Sequence, residues 1–434
     1  MIKINLYPHQ KQALQQTSDK TRVAYYLEMG LGKTFIGSEK MKQLNMPYNI
    51  LICQKSKISD WVNHFKTYYD YNIVIYKNQP IESIPENSVI IINYDLIWRR
   101  RQLKGLRNFT MILDESQYIK NEQSNRAKFI LSLEPENVIL LSGTPTGGKY
   151  EELWTQLKLL GWDISKDLFY KQYIITEKID VGGFQIEAVK GYKNVERLKG
   201  KLKKHGAVFM KSDEVFNLPE QIEKVVNIEN TAEYKKFKKE RVITLNNQTL
   251  EGDTSLKRLL YLRQLASIYN ENKHQALKDL LESTEDRIIV FHNFRKEFEI
   301  IKAICEEMGK PISYINGEGM NLENYENIPN TVTMIQYQAG ASGINLQKAN
   351  KIIYHSLPLS GELWMQSKKR IHRIGQSRTC FYYYLITEDS VEEKILDILK
   401  ERRDYTLELF EKEEEADDRK PKKQEADDRK RAAK

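Results

Sequence analysis

The chain has 434 residues, 40% hydrophobic and 29% charged, a length that suits two or three domains and a composition that suits a globular protein. No apolar run approaches the roughly 18 residues of a membrane span, the opening MIKINLYPHQ lacks a signal peptide's apolar core, and Cys53, Cys305 and Cys380 lie too far apart for a CxxC pair or a disulfide framework. A membrane protein and a secreted disulfide scaffold are thereby set aside in favour of a cytoplasmic one, and the formal charge of +8 is compatible with a polyanionic partner without requiring one.

Along the chain, residues 1–160 alternate short β-rich runs with helical patterns: VAYYL, YNILICQ, SVIIINY, TMILDE and NVILLSG. Such alternation predicts a parallel sheet with crossover helices. Residues 161–285 change character. The stretch SLKRLLYLRQLASIYNENKHQALKDLLES has helical spacing and the residues before it are rich in Lys and Glu, so a helical insertion and connector is predicted there. A second β-rich series, RIIVFHNF, PISYING, TVTMIQY, NKIIYHS and CFYYYLI, predicts a second α/β unit over 286–410. Residues 411–434 hold nine acidic and nine basic residues, repeat EADDRK and have no apolar face, which predicts a disordered or solvated tail. That tail is neutral, so the +8 belongs to the rest of the chain.

Four stretches carry chemistry. In LEMGLGKT, Gly30 and Gly32 permit a tight turn that aims successive N–H groups at one point, a nest suited to an anion. With a helix starting behind it, Lys33 would reach the β and γ phosphates of a nucleotide and the Thr34 hydroxyl would ligate Mg²⁺. The full phosphate-loop pattern wants glycine where Leu27 stands, so only the GKT core matches, and a glycine turn with an incidental Lys-Thr is the other reading of this stretch taken singly. In FTMILDESQ an apolar strand runs into Asp114 and Glu115, at the carboxyl end where open α/β sheets bind ligands. One carboxylate would orient Mg²⁺ and the other would orient or deprotonate a water; an acidic turn is the alternative.

VILLSGTP ends another strand in Ser142 and Thr144, placed to sense a γ phosphate or to couple two halves, or simply to make a turn. In QSKKRIHRIGQ, Arg370 and Arg373 are three apart and on a helix would share one face, from which guanidinium groups would cross a cleft and stabilise a transferred phosphoryl group. A solvated helical face is the alternative for these two arginines, and His372 is read as structural or surface.

Taken in order, these stretches resemble the motifs of the Swi/Snf-type ATPases, a branch of the superfamily-two helicases and translocases. The resemblance runs from Leu6 to about Leu399. LYPHQ is similar to the family's glutamine motif, LEMGLGKT to motif I, ILICQKSKISDWVNHF to motif Ia, ILDESQYIKN to motif II and LLSGTPTGGKYEELW to motif III. RIIVFHNF resembles motif IV, AGASGINLQKANKIIYHS motif V and QSKKRIHRIGQ motif VI.

The resemblance implies an α/β fold of two tandem RecA-like P-loop lobes, with ATP and Mg²⁺ in the cleft between them. Gln10 would read adenine, Gly30, Gly32, Lys33 and Thr34 would hold the phosphates, and Thr34 with Asp114 would hold the metal. Lys33, Asp114, Glu115, Arg370 and Arg373 would be catalytic, and Gln117, Ser142, Thr144 and Gln366 would couple the lobes. Contacts to double-stranded DNA would come from Lys55, Ser56 and Lys57 of motif Ia and from Ala341, Ser342 and Gly343 of motif V, chiefly to phosphates. The implied function is a monomeric DNA-dependent ATPase that translocates on duplex DNA, nucleoid-associated in a bacterial or phage-infected cell. A strand-separating DNA or RNA helicase and a non-hydrolysing DNA-binding scaffold are the alternatives. Leu27 stands where the family often has Asp, Gln117 where His is common and Lys369 where Asp is usual, while SLPLSGELW replaces a run that in eukaryotic remodellers carries Asp and Trp.

Overall fold

Apolar runs from both halves of the chain assemble into two parallel sheets in the computed structural model, which describes residues 2–181, 184–245, 248–339 and 344–410. The first lobe runs α1 (Pro8–Gln16), β1 (Arg22–Leu27), α2 (Lys33–Leu44), β2 (Tyr48–Cys53), α3 (Ile58–Tyr68), β3 (Asn72–Ile75), β4 (Ser88–Asn93), β5 (Phe109–Asp114), α4 (Asn125–Leu131), β6 (Asn137–Ser142) and α5 (Trp154–Leu159). Its strands are apolar on both faces because both faces are covered. Ala24 and Tyr26 pack on one side with Ile50 and Ile52, while Tyr25 and Leu27 pack on the other with Leu51 and Cys53. Each buried Leu or Ile among them contributes roughly 1.5–3 kcal/mol by leaving water. The predicted strands are β1, β2, β4, β5 and β6; β3 is a four-residue edge strand, none of it buried, too short and too polar in setting to announce itself.

Between the lobes come α6 (Lys166–Tyr173), β7 (Ile174–Val181), β8 (Phe184–Tyr192), α7 (Val195–Lys204), β9 (Ala207–Met210), α8 (Ser212–Val215), β10 (Gln221–Ile228), α9 (Ala232–Glu240), β11 (Val242–Leu245), β12 (Gln248–Glu251), α10 (Ser255–Ser267) and α11 (Glu271–Glu282). The helical insertion and connector expected over 161–285 is therefore helical only in part. The predicted helical stretch is α10 and α11, interrupted at Asn270, whose side chain accepts from the Asn272 N–H and caps α11. The remainder differs for a physical reason: ITEKIDV and FQIEAVKGY alternate polar and apolar residues at period two, and they pair as an antiparallel hairpin. QIEKVVNI reads as polar because β10 is an edge strand with most of its side chains exposed or half-exposed.

This segment also ties the lobes to their own sheets. β9 pairs parallel with β1, Ala24 opposite Ala207, and completes the order β3-β4-β2-β5-β6-β1-β9. The second lobe continues with β13 (Ile288–His292), α12 (Arg295–Glu307), β14 (Ile312–Asn316), β15 (Gly319–Asn321), α13 (Glu323–Asn327), β16 (Val332–Gln336), β17 (Lys351–Tyr354), α14 (Gly361–Lys368), β18 (Cys380–Thr387) and α15 (Val391–Phe410). Its sheet has the order β10-β18-β17-β13-β16-β14-β15 and is parallel except for β15. Two similar α/β lobes in tandem are the RecA-like arrangement expected.

The last helix, α15, returns to the first lobe. The Tyr150 hydroxyl donates to the Tyr405 carbonyl at 2.8 Å, and the Tyr405 ring meets Tyr192 edge-on at 4.8 Å. Gly148 lies under the same helix with φ +86°; a Cβ there would stand 2.4 Å from the Arg402 carbonyl, so backbone meets backbone and only glycine fits. Cys53, Cys305 and Cys380 are free and buried, and no described helix is long and apolar enough to cross a membrane.

Candidate active site

The loop after β1 makes the floor of the site. Gly30 at φ +91° and Gly32 at φ +73° adopt left-handed backbone, and α2 begins at Lys33 with Gly32 as an N-cap that supplies no side-chain acceptor. The first-turn N–H groups of α2 are thus turned toward the loop without a cap, at the positive end of the helix dipole. A Cβ on Gly32 would fall 2.2 Å from Gln10 Nε2, so glycine, which the positive φ favours, also leaves room for the Gln10 amide. Gln10 itself accepts from the Tyr7 N–H at 2.9 Å and donates to the Leu31 carbonyl at 3.4 Å, which seats the predicted adenine reader beside the loop. Lys33 Nζ donates to the Leu27 carbonyl at 2.9 Å and lies 3.2 Å from where a Cβ on Gly143 would be, so the ammonium stands between the loop and the end of β6. Thr34 is the second residue of α2, half-buried in the same first turn.

Asp114 is the last residue of β5, and its carboxylate accepts from the Trp61 indole N–H at 2.8 Å. Burial and the neighbouring Glu115 push the Asp114 carboxyl up to about 6, against the opposing pull of Trp61 and Lys33. Glu115 takes φ +57°, a left-handed conformation uncommon for a side chain with a Cβ and characteristic of residues whose aim matters. The Tyr94 hydroxyl holds the Asp114 carbonyl at 2.9 Å. Trp61 and Tyr94 escaped the sequence reading because only folding brings α3 and the end of β4 against β5.

Three of the predicted coupling residues form one hydrogen-bonded chain. Gln117 Nε2 donates to Glu115 Oε2 at 2.9 Å and to Glu362 Oε1 at 2.8 Å, Gln117 Oε1 accepts from Ser142 Oγ at 2.7 Å, and Gln366 Nε2 donates to Glu362 Oε1 at 3.1 Å. The link is Glu362, a carboxylate of the second lobe that sequence reading missed; its i, i+4 spacing from Gln366 on α14 was the available signal. Thr144 is joined through its backbone, donating to Ser142 Oγ at 3.0 Å, while its hydroxyl is buried with no hydrogen-bond partner among the described residues. A buried polar atom of this kind beside Lys33 is what a ligand site leaves behind.

The second lobe's arginines do not share a helical face as expected. α14 ends at Lys368, and residues 369–375 form turns. Two carbonyls a helix would use are claimed elsewhere: that of Arg370 accepts from the Leu346 N–H at 3.1 Å and that of Ile371 from Gln376 Nε2 at 3.4 Å, while Gln376 Nε2 also donates to the carbonyls of Ala349 at 2.8 Å and Gln347 at 3.1 Å. Arg373 nevertheless faces the first lobe's loop, whereas Arg370 Nη1 donates to the Ile344 carbonyl of its own lobe at 3.4 Å. Arg373 Cβ lies 3.9 Å from where a Cβ on Gly30 would be. Arg370 is 2% exposed, and burial together with Arg373 pulls its guanidinium down to about 10, with Glu115 acting in the opposite sense. Burial likewise lowers Arg373 and Lys33, the latter also by Arg373 and against Glu115, Asp114 and Glu28. His372 is buried and donates Nε2 to the Pro219 carbonyl at 3.0 Å, a structural position.

Cations from two lobes therefore surround an uncapped helix start, with two carboxylates alongside. The donor set suits a polyphosphate, and the oxygens of Thr34 and Asp114 suit a magnesium ion that completes its shell with phosphate and water. Of the residues expected at DNA, Lys55 and Ser56 are exposed on a 3-10 turn at the carboxyl end of β2, and Lys57 pairs with Asp60 at 2.8 Å. Ala341, Ser342 and Gly343 lie outside the described residues.

Residues 26–274 match the SNF2-related domain and residues 272–375 the helicase conserved C-terminal domain. The chain is 27% identical over 424 residues to the ISWI chromatin-remodeling complex ATPase ISW2 of Saccharomyces cerevisiae, covering 85% of this chain and 37% of that protein. It is 24% identical over 442 residues to the ATP-dependent DNA helicase DDM1 of Arabidopsis thaliana, covering 85% and 56%. The chain thus spans less than two thirds of either relative's length. Among solved structures, the SWI2/SNF2 ATPase core of Sulfolobus solfataricus in complex with dsDNA matches 93% of this chain and 92% of that one, at 22% identity and a TM-score of 0.45.

Proposed function

The chain belongs to the SNF2-related family, and from that premise we propose that it is a DNA-dependent ATPase that converts hydrolysis into movement along duplex DNA. The observation that carries this reading is the position of Arg373, presented by the second lobe against Gly30 of the first, with Arg370 in electrostatic reach of Glu115. Neither lobe holds a complete hydrolytic site, so chemistry requires the two to meet.

In this mechanism the N–H groups of the Gly30–Thr34 turn and Lys33 bind the phosphates, and Gln10 sits where it selects the base. Glu115 orients the attacking water and takes its proton. Thr34 and Asp114 would hold Mg²⁺, which when bound offsets phosphate charge. Arg370 and Arg373 stabilise the charge that develops on the transferred group. Gln117 carries the position of Glu362, and with it of the second lobe, to Glu115. Opening and closing of the cleft then alternates the grip on DNA, with Lys55, Ser56 and Lys57 holding backbone phosphates from one lobe and Ala341, Ser342 and Gly343 from the other. The chain acts as a monomer.

Measuring phosphate release with duplex DNA, single-stranded DNA and RNA tests the reading, together with displacement of a third strand from a triplex and of one strand from a tailed duplex. Stimulation by duplex DNA and triplex displacement without duplex separation are expected. Separation of the tailed duplex would make the protein a helicase, and no phosphate release with any nucleic acid would make it a binding scaffold.

A further inference from the structure

Lys369 stands where Swi/Snf-type proteins usually carry Asp, and the hydrolytic reading assigns it no role. In the structure its side chain leaves the second lobe. Lys369 Nζ donates to Glu28 Oε2 at 2.8 Å and to Ser212 Oγ at 3.0 Å, and the same Glu28 oxygen accepts from the Ser212 N–H at 3.0 Å and from Ser212 Oγ at 2.5 Å. Glu28 lies between β1 and Gly30, Ser212 opens the connector after β9, and Lys369 precedes Arg370. Two segments of the first lobe and one of the second are thus gathered on one carboxylate oxygen.

The pair is largely withdrawn from water, with 20% of the Lys369 and 14% of the Glu28 side chain exposed. Burial pushes the Glu28 carboxyl up, but Lys369 and Ser212 outweigh it and hold the group below the ordinary carboxylate range, so Glu28 is ionised at neutral pH. Charge-assisted hydrogen bonds in such a setting are short and directional. The arginines need an external anchor, because they sit on turns beyond the end of α14. Within this loop His372 grips only the connector, through the Pro219 carbonyl, whereas Lys369 grips the phosphate loop's own flank.

We propose that Lys369 is a positioning residue: by pairing with Glu28 it docks the arginine loop on the phosphate loop and so sets the closed state in which Arg370 and Arg373 meet the nucleotide. The inference rests on the ATPase reading for its catalytic consequence, though the docking contact itself does not. Aspartate at this position would set a second carboxylate against Glu28 in place of the ion pair. A cavity of about 320 Å³ lined by Glu28, Lys211, Lys368, Lys369, Glu223 and Arg403 adjoins the pair and gives salt ions access to it.

The test uses the full chain with duplex DNA. Lys369→Ala is expected to lower kcat about tenfold, as misplacement of a reacting group does, with KM for ATP changed less than twofold and a loss that narrows against wild type as salt rises. Lys369→Asp is expected to lose more than Lys369→Ala, Lys369→Arg to keep most of the activity, and Lys369→Ala with Glu28→Gln to be no slower than Lys369→Ala. Spin labels at Ser132→Cys and Glu306→Cys report the spacing of the lobes with a non-hydrolysable nucleotide, where Lys369→Ala should broaden a single short distance. Wild-type kcat and spacing in Lys369→Ala, or losses in Lys369→Ala and Glu28→Gln that multiply in the double variant, would overturn the proposal. If wild type itself fails to hydrolyse ATP, the ATPase reading falls, and the spacing measurement still decides whether Lys369 docks the loop.

Discussion

The two lobes supply the same site in different ways. In the first, the reacting groups sit at or just beyond strand ends: Asp114 closes β5, Ser142 closes β6, and Lys33 follows β1 by one tight glycine turn. In the second, Arg370 and Arg373 lie on turns between α14 and β18, held by the Leu346 N–H and the Gln376 amide. A strand end is located by every neighbouring strand, whereas a turn is located only by the bonds made to it. The first lobe is accordingly the fixed half of the site and the second the adjustable half, which suits the proposed motor, whose chemistry would wait for closure.

The largest effects should come from the fixed half. Glu115→Gln and Lys33→Ala should each lower DNA-stimulated phosphate release by about 10³-fold or more while leaving the circular dichroism spectrum unchanged; normal turnover by Glu115→Gln would remove the assigned water-orienting role. On the adjustable half, Arg373→Ala should cost about 10³-fold in kcat at nearly unchanged nucleotide affinity, since such an arginine acts on charge that develops late. Equilibrium binding of a fluorescent ATP analogue separates that outcome from simple loss of the ligand.

Gln376→Ala sharpens the contrast, because it touches neither nucleotide nor metal. Loss of its amide leaves the Ala349 and Gln347 carbonyls short of a partner, so a stability loss of about 1–2 kcal/mol is expected in urea unfolding. A kcat loss of about tenfold should accompany it if the turn's placement matters. An equal loss from Asn137→Ala, a buried polar residue at the start of β6, would show that general softening rather than loop placement is responsible.

The smallest effect is one of stability and runs the opposite way. Asp114 has its folded pKa raised to about 6 from an ordinary 3.8, so the folded chain binds this proton more tightly than the unfolded one. The group's contribution is then most favourable below pH 3.8 and is lost as pH rises toward 6. Asp114→Asn, which keeps an oxygen for Trp61, should therefore be more stable than wild type at pH 7, on the order of 1 kcal/mol, while losing hydrolysis. A lower melting temperature for Asp114→Asn at pH 7 in the absence of magnesium would contradict this account.

Much of the first lobe was legible because its signals are local. Leu27–Thr34 is a strand, a glycine turn and a helix start in eight consecutive residues, and FTMILDESQ shows burial and then charge within nine. The connector was less so. β9 pairs with β1 across some 180 residues and is only AVFM in sequence, and the edge strand β10 reads as polar because one side of it stays open. The expectation that Arg370 and Arg373 share a helical face failed at the same kind of point: spacing of three is a helical signal, but Leu346 and Gln376 claim the Arg370 and Ile371 carbonyls that would have continued α14.

Residue type and order were enough to establish two α/β lobes, a glycine turn leading into a helix, a pair of strand-end carboxylates and an arginine pair, since each depends on neighbours in the chain. Which groups meet across the lobes was not written there. Glu362 reaching Gln117, Lys369 reaching Glu28 and Tyr150 reaching Tyr405 are contacts between segments far apart in the chain. Hydrogen bonds and ion pairs act over a few ångströms, so only the packing of one sheet against the other selects them.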